Sequence, residues 1–198
     1  MKNKDINVYV AKDSSKAMVE FIDKVYPAVI GKAGAIDESA KKEGDWKTPI
    51  GGPYKILNVY YREDRLEKPR TKVQITALAK NDIWIDDQAD DRYNKPAKIK
   101  GTEERASHEN LYRDDHLYDL IVDIGFNREN IMIGRGSAIF MHLSRDQETP
   151  SNTPTAGCIA FRKSDLLEMI QKMDTSTKIY IQLAKYPKAA AYKGFRVL

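Results

Sequence analysis

One cysteine and three histidines stand in 198 residues. A lone thiol excludes an internal disulfide, so the fold rests on burial alone, which a chain of this length manages without staples. No apolar run escapes interruption by charge for the length that a membrane-spanning helix needs, so no membrane segment is predicted. There is no internal repeat and no low-complexity stretch. An excess of one charge is also lacking, since 33 Lys and Arg face 29 Asp and Glu for a net charge of +4. That balance falls short of the basic footprint of a nucleic-acid binder, but it suits a small acidic substrate. The turn glycines Gly31, Gly34, Gly134 and Gly136 form no nucleotide-binding fingerprint, and no cofactor is expected. What remains, 41% hydrophobic and 31% charged residues, is an ordinary globular balance.

Residues 6–11 alternate apolar and polar and stop at Lys12, the pattern of a strand and not of a signal peptide's unbroken apolar core. No Cys near residue 20 offers a lipid-anchor site. The expectation is a cytoplasmic protein, or a periplasmic one if a native leader has been removed. Residues 1–184 read as one domain and residues 185–198 as a C-terminal tail.

Short strands dominate. The alternation at residues 6–11 continues at Ala17, Val19 and Phe21 and then at residues 26–30, a meander of antiparallel strands. Residues 41–53 are rich in Gly, Pro and charge and read as a loop. Residues 54–60 and 73–78 read as strands. Residues 86–110 are polar and acidic, a long surface excursion facing substrate. Residues 117–124 alternate, and residues 137–143 form a continuous apolar run of strand length, hence a buried strand. A Pro- and Thr-rich loop spans residues 144–156. Ser164 reads as the cap of a helix whose apolar stripe is Leu166, Leu167, Met169, Ile170 and Met173. Residues 178–183 close the fold as a strand. The fold class is mainly β with a few short helices, a sandwich or strongly bent sheet of mixed and antiparallel strands with one clear helix after the cysteine.

The chemistry concentrates at Thr155-Ala156-Gly157-Cys158-Ile159. An isolated Cys is most often a small buried hydrophobe. Here Gly157 permits a tight turn beside the sulfur, so that the N–H groups of Gly157 and Cys158 are candidate oxyanion donors. The buried strand at residues 137–143 carries His142 sixteen residues upstream, and a loop joins the two. An imidazole placed beside a thiol whose free pKa lies near 8.5 takes its proton and releases the nucleophile.

These residues resemble the L,D-transpeptidase catalytic signature, the YkuD domain, in which a His is followed by Ser/Thr-x-Gly-Cys and an aliphatic residue. The likeness covers most of the chain. Gly44-Asp45-Trp46-Lys47-Thr48-Pro49-Ile50-Gly51 is similar to the family's Gly-Asp-x-x-Thr-Pro-x-Gly segment. Residues 111–119, residues 136–142 and the segment after Cys158 also resemble one branch of it. The resemblance implies a YkuD-like sandwich, Cys158 as nucleophile and His142 as base. Thr155 takes the Ser/Thr position, and the carbonyl of Leu143 is the candidate that orients the imidazole. Two positions depart from the pattern. Ala156 stands where many members carry a second His, and Ala160 where many carry Arg. Arg162 is the nearest replacement for that guanidinium, whose fork pairs with a carboxylate in two hydrogen bonds.

His108, Asn127 and Tyr93 are further candidates for lining the substrate groove. A zinc site from His108, His116 and a carboxylate lacks the tight spacing of zinc motifs, and the Asp86-Asp87 and Asp90-Asp91 pairs lack a calcium loop's pattern, so no metal is expected and these acids read as solvated surface. The implied activity is an L,D-carboxypeptidase acting on peptidoglycan tetrapeptide stems, whose third residue is often meso-diaminopimelate. Cys158 attacks that residue's carbonyl, D-Ala leaves and water resolves the thioester, in peptidoglycan recycling. An exported L,D-transpeptidase using the same acyl-enzyme is the alternative, and a non-catalytic binder of stem peptides ranks third.

Overall fold

In the computed structural model, which describes residues 4–100, 105–148 and 153–184, the chain is mainly β with one α-helix among the described residues. Period-two alternation builds β1 (Ile6–Val10), β2 (Lys16–Phe21) and β3 (Lys24–Val29), an antiparallel meander. Beyond β3 lies β13 (Ile159–Phe161), followed by β12 (Phe140–Leu143) parallel to it, then β11 (Leu120–Asp123), β6 (Asn58–Tyr61) and β7 (Ile75–Ala77). On the other side β14 (Lys178–Leu183) runs parallel to β1, and β5 (Thr48–Lys55) and β4 (Ala35–Asp37) complete that edge. The eleven strands form one sheet in the order β4-β5-β14-β1-β2-β3-β13-β12-β11-β6-β7.

A twisted sheet this wide curls. Val8, Phe21, Val122, Met141, Phe161 and Ile181, drawn from strands far apart in that order, accordingly share one core. The helix α1 (Lys163–Lys172) adds Leu166, Met169 and Ile170 to it. Burying those three side chains is worth roughly 1.5–3 kcal/mol each, and that packing holds a ten-residue helix too short to persist alone.

A second sheet has the order β10-β8-β9, from β8 (Asp82–Ile85), β9 (Pro96–Lys98) and β10 (His108–Asn110). Its Trp84 packs edge-on against Phe140, ring centroids 4.7 Å apart. This contact centres a second cluster with Tyr60, Tyr118, Ile121 and Cys158. β11 and β12 therefore have apolar partners on both faces and are buried throughout, as the continuous apolar run predicts for β12.

Several local readings are corrected. The Gly- and Pro-rich segment is a strand from Thr48 onward, because β5 finds partners on both sides in β4 and β14. The single strand expected over residues 54–60 breaks at Ile56 and Leu57 into β5 and β6, which sit far apart in the sheet. The excursion at residues 86–110 contributes β9 and β10. Ser164 does not cap α1. The helix begins at Lys163, no side-chain cap bond is made, and Gln147 Oε1 accepts from the Lys163 N–H at 2.6 Å instead. The tail read at residues 185–198 lies outside the described residues.

Candidate active site

The parallel register of β12 and β13 sets His142 beside Ala160. Cys158, two residues before Ala160, falls on the same face of the sheet, one diagonal step from His142. Both side chains line a cleft of about 690 Å³. Each is nearly buried, with 6% of His142 and 7% of Cys158 exposed, so the reactive groups meet solvent only through this cleft.

His142 Nδ1 lies 2.8 Å from the carbonyl oxygen of Leu143. A carbonyl only accepts, so Nδ1 carries the proton and Nε2 is left with a lone pair, the tautomer that a base requires. The Tyr118 ring stands nearly perpendicular to the imidazole, centroids 5.3 Å apart. Burial above all pushes the imidazole down to a pKa of about 4 and the Cys158 thiol up to about 12, the latter helped by the nearby Glu109 carboxylate. Both groups are therefore neutral at rest. The thiol donates to the carbonyl oxygen of Ala138 at 3.1 Å and accepts from the Phe140 N–H at 3.3 Å. No hydrogen bond joins Sγ to the imidazole among the described residues.

Two threonines fasten the turn that carries the thiol. Thr155 Oγ1 donates to the Cys158 carbonyl oxygen at 2.7 Å and accepts from the Gly157 N–H at 3.1 Å. The Gly157 N–H is thereby occupied, which corrects the expectation that it faces an oxyanion. Thr48 Oγ1 donates to the Gly157 carbonyl oxygen at 2.7 Å and accepts from the Gly31 N–H at 3.0 Å. Gly157 has φ +146°, and a Cβ there would sit 3.0 Å from both the Lys47 carbonyl oxygen and Ile139 Cδ1, so only glycine fits.

Of the other predicted residues, His108 lines the cleft, its Nδ1 2.8 Å from the Ala106 carbonyl oxygen. Arg162 does not. β13 ends at Phe161 and α1 starts at Lys163, so strand alternation fails at this position and its Nε pairs with Asp165 at 2.9 Å. Asn127 is also displaced from the cleft. It organises its own loop, accepting from Met132 N–H at 2.8 Å and donating to the Gly136 carbonyl oxygen at 3.0 Å, and it lines a separate cleft of about 510 Å³. Tyr93 is buried behind the cleft wall, where its hydroxyl donates to Glu43 and accepts from the Gly136 N–H. Asn94 is likewise structural, accepting from Trp84 Nε1 at 2.9 Å and from the Ala138 N–H at 3.1 Å.

Sequence reasoning missed the charged lining. Arg113 reaches the cleft from a loop that Arg65 clamps through the carbonyl oxygens of Asp114 and Asp115 at 2.9 and 2.8 Å. Arg145 enters just past β12. Asp86 and Glu109 line it as well, so Asp86 is not the solvated surface residue expected. No sequence spacing marks these four, because each comes from a different loop or strand end. Among the described residues no group of three His, Cys, Asp or Glu side chains is arranged to hold a metal ion.

A family model described as the L,D-transpeptidase catalytic domain, YkuD, matches residues 8–181. No curated protein and no solved structure matches the chain.

Proposed function

The chain belongs to the YkuD family of L,D-transpeptidase catalytic domains, cysteine-dependent enzymes acting on peptidoglycan peptide stems, and from that premise we propose that it is an L,D-carboxypeptidase of tetrapeptide stems. In this reading the Cys158 thiol turns from the Ala138 carbonyl to His142 Nε2 and gives up its proton there as Sγ attacks the carbonyl of the stem's third residue. The Cys158 N–H serves the resulting oxyanion. Collapse expels D-Ala, whose amine takes the proton from Nε2. Water, deprotonated by the same nitrogen, then attacks the thioester, and the departing sulfur takes that proton back from Nε2 as the tripeptide is freed. The pair rests neutral, so in this reading the proton passes from Sγ to Nε2 only as Sγ attacks.

The observation that carries the reading is the single cleft shared by Cys158, His142, Arg113 and Arg145. Arg113 already gives its Nε and Nη2 to Asp115, whereas the exposed Arg145 guanidinium supplies what Ala160 lacks, a contact for the D-Ala carboxylate in that cleft. Its volume suits one peptide-sized ligand, and the cleft of about 510 Å³ shares no lining residue with it. Peptidoglycan recycling inside the cell is the setting this activity implies.

The test is incubation of the protein with a tetrapeptide stem, with and without an amine acceptor, followed by mass spectrometry. Tripeptide and free D-Ala are expected in both arms. Cross-linked product as the main outcome moves the assignment to transpeptidation, and a Cys158→Ala protein that still releases D-Ala ends it.

A further inference from the structure

The thiol proton at rest is held by a backbone carbonyl in an uncommon conformation. Sγ donates to the carbonyl oxygen of Ala138 and accepts from the Phe140 N–H. Ala138 has φ +52°, in the left-handed region where a Cβ crowds the backbone. Alanine has no polar side chain with which to hold itself there, so its surroundings must do so.

Asn94 is the group that does. Its Oδ1 accepts from the Ala138 N–H at 3.1 Å and from Trp84 Nε1 at 2.9 Å. Its Nδ2 donates to the carbonyl oxygens of Phe126 and Asn127 at 3.1 and 2.7 Å. All four hydrogen-bonding positions of the amide are filled, at a residue only 1% exposed. An amide so saturated is fixed, and it fixes the Ala138 peptide in turn. The preceding residue makes a parallel contact, since the Tyr93 hydroxyl accepts from the Gly136 N–H at 3.1 Å. The turn at residues 93–94 thus grips alternate N–H groups of the segment 136–138, whose Ser137 and Ala138 line the cleft. The two grips differ in what they hold. Gly136, at φ +102°, takes a positive φ freely, and Ala138 does not.

We propose that Asn94 is a positioning residue for the nucleophile, holding Ala138 in the backbone conformation that presents its carbonyl to Cys158 and so keeping the resting thiol protonated and off the imidazole. An S–H that donates to a carbonyl is favoured over its anion, which that oxygen repels. Ionisation then requires the sulfur to turn away from Ala138. The turn toward His142 rests on the proposed catalytic reading; the resting contact does not.

The experiment follows Cys158, the single cysteine, in the absence of substrate. Alkylation by iodoacetamide is measured against pH by intact mass, and the S–H stretch by infrared spectroscopy. Asn94→Gly removes the amide and suits that residue's own φ of +56°. It is expected to speed alkylation at pH 8 about tenfold, moving the profile about one pH unit toward acid, and to raise the S–H stretch toward that of a free thiol. Adding Ala138→Gly lets residue 138 keep its backbone without a pin, so the double variant is expected to return to within about threefold of the wild type. Tyr93→Phe releases the N–H of a glycine in the same wall and is expected to stay within about threefold as well. The charged groups that act on the thiol, Glu109 and Lys41, are the same in every variant, as is His142. A general loosening of the cleft gives the opposite pattern, with Tyr93→Phe altered and no recovery on adding Ala138→Gly. That pattern, or a wild-type profile in Asn94→Gly, overturns the inference. Asn94→Ser is read in the same way where Asn94→Gly does not fold, and a wild-type S–H band at the frequency of a free thiol overturns the inference by itself. D-Ala release plays no part in these measurements, so failure of the catalytic reading leaves their outcome intact.

Discussion

Thr48 Oγ1 donates to the carbonyl oxygen of Gly157 at 2.7 Å, across 109 positions of sequence. Thr48 Oγ1 also accepts from the Gly31 N–H, and Thr48 is fully buried. A hydroxyl that closes both bonds in the interior fixes the backbone immediately before the thiol. The Thr-Pro-x-Gly segment and the Gly-Cys segment are thus parts of one device, the first holding the second in place.

Thr48→Val keeps the shape and removes both bonds. Two buried backbone groups then lose their partner, at a cost of roughly 1–3 kcal/mol each. Urea unfolding is expected to show destabilisation of about 2–6 kcal/mol, with D-Ala release down more than tenfold at temperatures where the variant is folded. Thr48→Ser, which keeps the hydroxyl, is expected to recover most of both; if it behaves like the valine variant, the two bonds are not what matters.

The buried thiol, pushed up to about 12, is expected to react slowly with iodoacetamide in the free protein at neutral pH. Its alkylation rate should climb about tenfold per pH unit from pH 7 to pH 10, following the thiolate fraction. Since Cys158 is the single cysteine, intact-mass measurement follows it without interference. A plateau near pH 8.5 would mean an ordinary exposed thiol.

His142 links stability to pH with a definite sign. Its folded pKa of about 4 lies below the ordinary value of 6.5, so the unfolded chain binds more protons between those values. The stabilisation is complete above pH 6.5 and is lost as the pH falls toward 4, by about 3 kcal/mol over that window. Denaturation midpoints measured from pH 7 to pH 4 should show this loss, and in His142→Asn protein the slope should flatten by that amount.

Arg145 has no ion-pair partner among the described residues and stands exposed at the mouth of the cleft. If it holds the D-Ala carboxylate, Arg145→Ala is expected to raise KM about tenfold and leave kcat within about threefold, the pattern for binding lost equally from ground and transition states. Steady-state D-Ala release measures both, and an unaltered KM would pass the role to Arg113.

Much of the molecule was readable along the chain. Alternation at residues 6–10 and 16–21 determined the first two strands, since period two places one face in water and the other in the core. The apolar run through Phe140 required a strand covered on both sides. Gly157-Cys158 and His142 stood out because a lone thiol after a glycine and an imidazole at the end of a buried strand are both local patterns. Other features escaped because they are pairings and not patterns. Thr48–Lys55 became a strand only because β4 and β14 lie on either side of it, which outweighs the turn propensity of its glycines and prolines. Arg162 left the cleft because the helix begins one residue later and turns its side chain to Asp165. Asp86 and Glu109 face the same cleft only through the cross-strand register of the small sheet.

The amino-acid sequence by itself determined the β-rich class, the Cys158–His142 pairing in one cleft and the family, because each is written in residue type and short spacing. Tertiary structure alone decided which charges surround the thiol and which backbone donors are already occupied. Charge–charge distance and hydrogen-bond saturation depend on how strands register across the sheet, and a linear order of residues does not contain that information.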